Sequence, residues 1–326
     1  MDRQHPAAKT TTGGAPVVSV VIPICNEFET LPELRRRLEE VLAAGDDAYE
    51  IIFVNDGSVD GSLERLTTYA RDDARIKLID LSRNFGHQAA MYAGLRRATG
   101  EALILMDGDL QDPPEVIPQL VSRWREGFDV VVAVRRKRKE GLWKRLLYAG
   151  YYRLLRQVAY IRMPLDAGDF SLLDANIVGL LKQLPERNKF LRGLRAWAGF
   201  RQTELEYERS ARFAGEPKYT TAKLIKLALD GLISYSYVPL RISYALGLAV
   251  SVASFGLATV YFFQRLFSEQ FIPQGFTTLA ILVLFLGGVQ LLSLGVLGEY
   301  VARIYDEVKH RPEYVEREVI GFNEGR

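Results

Sequence analysis

Over the first 135 residues, short apolar runs alternate with segments of helical period. Val17–Pro23, Glu50–Val54, Ile76–Leu81, Ala102–Met106 and Val130–Val134 are each too short and too apolar for an exposed helix, and read as buried strands. Thr30-Leu-Pro-Glu33 has the form of a capping box opening a helix, with Pro32 in its first turn. Gly86–Ala98 reads as helical, and Asp112-Pro113-Pro114-Glu115 as a further helix start with Asp112 as N-cap. Strands alternating with helices predict an α/β layer fold around a mostly parallel sheet.

The last third has a different pattern. Ile242–Phe263 is 22 residues without a charge, and Gly275–Gly298 is 24 more. As helices they would be about 33 and 36 Å long, enough for a hydrocarbon core of about 30 Å. A pair of buried core helices is the alternative, but two adjacent uncharged runs of this length are rare in water-soluble domains. Arg241 precedes the first run, and Arg303, Lys309 and Arg311 follow the second. Residues 264–274 between the runs carry only Arg265 and Glu269 as charges. The positive-inside bias then predicts a two-helix transmembrane hairpin (241–302) in a bacterial inner membrane, with the large N-terminal part and a C-terminal tail (303–326) both cytoplasmic.

Charge sharpens this picture. Lys+Arg 42 against Asp+Glu 40 gives a net +2, which argues against a general nucleic-acid binder. The basic residues are nevertheless clustered: Arg135–Arg156 holds nine Lys/Arg and one acid. Within it Trp143, Leu146, Leu147, Tyr151, Leu154, Leu155 and Val158 share one helical face. This predicts an interfacial helix at about 141–160 on an anionic membrane, a helix docked on the sheet being the alternative. A second interfacial helix is expected at 218–240, where Ile225, Leu229, Leu232 and Ile233 align. Residues 1–15 are polar and small and predict a disordered, uncleaved start, which leaves 16–217 as the large cytoplasmic domain. The single cysteine, Cys25, excludes an intrachain disulfide and reads as a small buried filler.

Ligand sites in open α/β sheets lie at the carboxyl ends of the strands, where polar residues collect here. Asn26-Glu27 follow the first strand, Asp56 the second, and Asp107 and Asp109 the fourth. Neither a G-x-G-x-x-G nor a G-x-x-x-x-G-K-[ST] pattern is present, which disfavours dinucleotide and P-loop chemistry. Two carboxylates two residues apart can turn toward one cation, with Gln111 adding a neutral oxygen. Such an all-oxygen set suits Mg²⁺ or Mn²⁺ shared with a substrate's phosphates. His87 reads as a packing or capping residue near a helix start. Trp197 and Tyr207 read as core or membrane-facing.

Three segments together resemble glycosyltransferase family 2: Val21-Ile22-Pro23-x-x-Asn26-Glu27, Val54-Asn55-Asp56-Gly57-Ser58-x-Asp60-Gly61-Ser62 and Asp107-Gly108-Asp109-Leu110-Gln111-Asp112-Pro113. Arg83-Asn84-Phe85-Gly86-His87-Gln88-Ala89-Ala90, Asp166-x-Gly168-Asp169-Phe170 and the stretch Gly298–Pro312 narrow the resemblance to the polyprenyl-phosphate glycosyltransferases with two C-terminal spans. It covers roughly residues 16–315.

The resemblance implies a GT-A-like nucleotide-diphospho-sugar transferase fold. It implies that Pro23, Glu27, Asp56 and Asp107 hold the donor nucleotide. Asp107, Asp109 and Gln111 would serve the metal, Asp169 would stand at the position usually given to the catalytic base, and Arg209, Arg212 and Lys218 would contact phosphates. The expected reaction is inverting, metal-dependent transfer of one sugar to polyprenyl (undecaprenyl) phosphate, with UDP-glucose as the first choice of donor. UDP-N-acetylhexosamine, GDP-mannose and a UDP-aminoarabinose derivative remain open. A processive polysaccharide synthase would carry a Q-x-x-R-W motif and more spans. A non-catalytic membrane scaffold would not need the acids at 56, 107, 109 and 169. Homo-oligomers are expected from the relatives.

Overall fold

The computed structural model describes residues 16–135, 167–186, 190–208, 238–267 and 275–322. The chain divides into two units. The first is built on an eight-stranded sheet of order β7-β5-β6-β4-β1-β2-β3-β8. Its strands are β1 (Val18–Ile24), β2 (Tyr49–Asn55), β3 (Ile76–Leu81), β4 (Ala102–Leu105), β5 (Val130–Arg135), β6 (Ala167–Asp174), β7 (Gln202–Tyr207) and β8 (Glu316–Ile320). β6 runs antiparallel to β4 and β5, and β8 antiparallel to β3, while the other pairings are parallel.

The central strands are apolar on both faces because both faces are covered. Val20, Ile22 and Phe53 pack with α1 (Leu31–Ala43), α2 (Ser62–Asp72) and α4 (Ile117–Arg125). Val21, Ile52 and Val54 pack on the other face with α3 (His87–Arg97), α5 (Ala175–Gln183) and α6 (Leu191–Trp197). In α1 the leucines at 31, 34, 38 and 42 form the buried stripe, while Arg36 bridges Glu33 and Glu40 on the outside.

Several expectations are corrected here. Thr30 has helical backbone angles and makes no cap; its hydroxyl donates to the Glu27 carboxylate at 3.2 Å. Asp112 is no N-cap either: a single 3₁₀ turn, Pro114–Val116, leads into α4, and the Asp112 carboxylate accepts the Tyr207 hydroxyl. Arg135, read as part of a solvated or membrane-facing run, ends β5 with its Nε 3.4 Å from the Tyr207 hydroxyl. Part of the expected C-terminal tail (303–326) returns to the sheet. Glu316–Ile320 adds an edge strand, with Arg97 Nη2 2.6 Å from Glu316 Oε2. The expected interfacial helices at 141–160 and 218–240, and residues 1–15, lie outside the described residues, apart from 238–240, which open the first long helix.

The second unit contains α7 (Val238–Phe267, 30 residues) and α8 (Phe276–Val308, 33 residues), which pack on each other. Both are long and apolar enough to cross a membrane, over Leu240–Leu257 and Phe285–Val308. They extend beyond the uncharged runs, so Arg241 and Arg303 are helical residues. Val252, Phe255, Val283, Leu291 and Leu292 are exposed, a surface that suits lipid better than water.

Candidate active site

Polar groups converge at the carboxyl edge of the parallel strands. The loops after β1 and β2 are laced together there: Asn26 N–H donates to Ser58 Oγ (3.0 Å), Glu27 N–H to Ser62 Oγ (3.2 Å) and Phe28 N–H to Asp60 Oδ2 (3.0 Å). Asp56 is buried at the end of β2, and its two oxygens accept the Phe85 and Gly86 N–H groups at 2.7 and 3.0 Å. It thereby fixes the turn that delivers His87 to the start of α3. A side chain at Gly57 would meet the Asn84 backbone N at 2.5 Å, so only glycine lets these two loops close. Cys25 is only half-buried, and its Sγ accepts a bond from Asn84 Nδ2 at 3.2 Å.

The Asp107–Gln111 loop packs against the end of β1. A Cβ at Gly108 would lie 2.5 Å from Ile24 Cδ1 and 3.3 Å from the Pro23 carbonyl oxygen. Asp109 Oδ1 accepts the Gln111 N–H at 3.1 Å, and between them Leu110, buried, is held at φ 57°. A left-handed leucine costs about 1–2 kcal/mol, strain of the kind that concentrates at functional loops.

Asp107 and Asp169 come to the same edge because β6 is reversed. The pairing Ala102↔Asp174 through Leu105↔Ser171, continued two residues, sets position 107 opposite 169. A residue at the start of β6 therefore reaches the same edge as residues beyond the ends of the parallel strands. His87 stands between the two acids, with Nε2 3.3 Å from Asp107 Oδ1 and 3.5 Å from Asp169 Oδ2. His87 stands at a helix start as expected, but its partners are two acids rather than packing or capping contacts. Desolvation opposes a proton on His87, but the two carboxylates outweigh it and raise its pKa. Asp107 is pushed up to about 6, mainly by burial, against the pull of His87. Its Oδ1 is closed to solvent and has no hydrogen-bond partner among the described residues.

Nothing in the spacing of the chain singles out the arginines on α6. Arg192 bonds both oxygens of Asp169 at 2.7 Å, and Arg195, one turn on, is buried with Nη2 3.5 Å from the Gly168 carbonyl. Burial lowers the Arg195 pKa to about 10. Gln88 ties the cluster together, donating to Asp169 Oδ2 (3.3 Å) and accepting the Leu191 N–H (3.2 Å). Tyr207 is buried, as one of its two readings had it, whereas Trp197 is 55% exposed and not core. Arg209, Arg212 and Lys218 lie outside the described residues.

This constellation offers paired acids, one of them unsatisfied, at the edge where α/β sheets bind ligands, with cations beside them. Residues 19–179 match the Glycosyl transferase family 2 model, and residues 238–304 match the GtrB C-terminal hairpin. The chain belongs to glycosyltransferase family 2. It is 43% identical to an uncharacterized glycosyltransferase of Bacillus subtilis, YkcC, over 94% of this chain and 95% of the relative. It is 44% identical to an uncharacterized glycosyltransferase of Synechocystis, sll0501, over 94% and 96%. A bactoprenol glucosyl transferase of Shigella phage SfV is 39% identical over 91% and 97%. The fold is accordingly GT-A-like, with a mostly parallel sheet carrying the glycosyltransferase domain and two candidate membrane helices in the second unit.

Proposed function

We propose that this glycosyltransferase moves one glucose from UDP-glucose to polyprenyl phosphate at the cytoplasmic face of a bacterial membrane. The observation that carries the reading is the joint match: a family 2 domain and a GtrB-type hairpin on one chain, along nearly its whole length similar to a bactoprenol glucosyl transferase.

A lipid-phosphate oxygen attacks the sugar's anomeric carbon while the bond from that carbon to the nucleoside diphosphate breaks, inverting the configuration. Both partners are anions, so the site must supply positive charge. Asp107, Asp109 and Gln111 are the residues that would hold a Mg²⁺ or Mn²⁺ ion. Asp107 Oδ1, closed to solvent and without a hydrogen bond among the described residues, fits that role beside His87. When bound, the ion neutralises the departing diphosphate. Pro23, Glu27 and Asp56 line the ends of β1 and β2, where the nucleoside would lie. Arg209, Arg212 and Lys218 would contact phosphates. Both termini are cytoplasmic in this reading, the interfacial segments lie on anionic lipid, and copies associate through the hairpin.

The test is transfer from labelled nucleotide sugars to undecaprenyl phosphate by the full chain in detergent, read as organic-extractable label. Extraction from UDP-glucose, abolished by EDTA, supports the reading. Nucleotide binding without extractable label from any donor sinks it.

A further inference from the structure

Asp169 sits behind a guanidinium. Arg192 Nε bonds Oδ1 and Nη2 bonds Oδ2, while Gln88 Nε2 and His87 Nε2 stand 3.3 and 3.5 Å from Oδ2. The Arg192 side chain is 39% exposed and that of Asp169 only 4%, so a ligand arriving from solvent meets the guanidinium first. A general base must offer an open oxygen to the proton it removes. This carboxylate is already engaged from several sides. Burial alone would raise its pKa, but the bonds and charges of Arg192 and His87 hold it far below the usual carboxylate range. A phosphate monoester is largely dianionic at pH 7 and needs a cation more than it needs a base. Nε and one Nη2 hydrogen are committed to Asp169, and the other edge of the guanidinium, Nη1 with the second Nη2 hydrogen, has the two-point geometry that grips a phosphate.

We propose that Arg192 binds a substrate phosphate, and that Asp169 is the positioning residue that holds its fork in place. The inference rests on the glycosyl-transfer reading above. Arg195, buried one turn along α6 near Gly168, adds positive field from behind without reaching the ligand. Gln88 holds the start of α6 through the Leu191 N–H, so the fork is anchored at both its helix and its carboxylate. The phosphate could belong to the lipid acceptor or to the donor's diphosphate, and the two are separable by kinetics.

The experiment uses the full chain in detergent and measures KM for polyprenyl phosphate, Kd for UDP, and the pH profile of kcat/KM. Arg192→Gln is expected to raise the acceptor KM roughly tenfold or more with a smaller loss in kcat. Arg192→Lys, which keeps the charge but not the fork, should recover part of the loss. Asp169→Asn should move the same constant in the same direction and leave the shape of the pH profile unchanged. A weakened UDP affinity with an unchanged acceptor KM would keep the phosphate role and assign it to the donor. If Arg192→Gln does not fold, the same comparison is made with Arg192→Lys. Unchanged acceptor KM and UDP Kd in a folded Arg192 variant overturn the proposal. So does an Asp169→Asn protein that is dead at every pH while the Arg192 variants turn over normally. Absence of transfer by the unmodified chain would instead sink the functional reading on which the proposal rests.

Discussion

The two ends of the parallel strands treat their acids in opposite ways. At the amino ends, Glu50 is buried and fully engaged. Its Oε1 accepts Ser19 Oγ (2.5 Å), the Thr99 N–H (2.9 Å) and Thr99 Oγ1 (3.0 Å), and its Oε2 accepts Lys77 Nζ. Burial would raise its pKa, but these donors win and lower it. At the carboxyl ends, Asp107 has an oxygen that is closed to solvent and not hydrogen-bonded, and its pKa rises. The same sheet thus carries one acid whose oxygens are all hydrogen-bonded within the protein and one that has His87 beside it but leaves an oxygen without a hydrogen bond among the described residues. A satisfied buried charge marks structure, and an unsatisfied one marks chemistry.

The comparison breaks most visibly if Glu50 is removed. Glu50→Ala strands Lys77, whose side chain is 17% exposed, together with the Ser19 and Thr99 donors, and should cost about 3–5 kcal/mol. A clearly lowered unfolding midpoint in detergent checks this, with turnover per folded molecule little changed. Asp107→Asn should do the reverse: transfer falls roughly 10²–10³-fold, the scale of losing one charge-stabilising group, while the midpoint holds or rises.

pH sharpens the contrast. Asp107 rises from 3.8 to about 6 on folding, so the folded state keeps a proton that the unfolded chain has lost. That contribution is fully present below about pH 4 and is lost as pH rises through about 6. Unfolding in EDTA should therefore show Asp107→Asn more stable than the unmodified chain by about 1–3 kcal/mol at pH 7, with the gain vanishing near pH 4. Glu50 has the opposite sign: its stabilisation is present above the ordinary glutamate range and disappears as pH falls through its lowered value. The smallest effect is expected away from both ends. Glu316→Ala breaks a part-exposed pair with Arg97 and should shift stability by less than about 1 kcal/mol, leaving transfer unchanged.

The five apolar strands and the edge that carries Asp56, Asp107 and Asp109 are legible in the sequence, because burial on both faces writes an uninterrupted apolar run. What is not legible depends on pairing. β6 is Ala-Gly-Asp-Phe-Ser-Leu-Leu-Asp, a mixed stretch that says nothing of its reversed direction, yet that direction is what sets Asp169 opposite Asp107. β8, Glu-Arg-Glu-Val-Ile, has the charged composition of an edge strand and so reads as a solvated tail. Thr30 and Asp112 have the right spacing for caps, but other partners took their side chains: Glu27, three residues back, in one case and the distant Tyr207 in the other. His87 has no ligand-like spacing to any neighbour. Arg192 is one of many arginines until α6 folds back onto the start of β6.

The most direct test of the division between a structural and a chemical edge is the amount of labelled glucose that Asp107→Asn protein transfers from UDP-glucose to polyprenyl phosphate, at matched folded concentration with the unmodified chain. A folded protein, at least as heat-stable as the original in EDTA and transferring roughly 10²-fold less or worse, is the predicted result. Transfer at the unmodified rate would contradict the account and move the chemistry away from this end of the sheet.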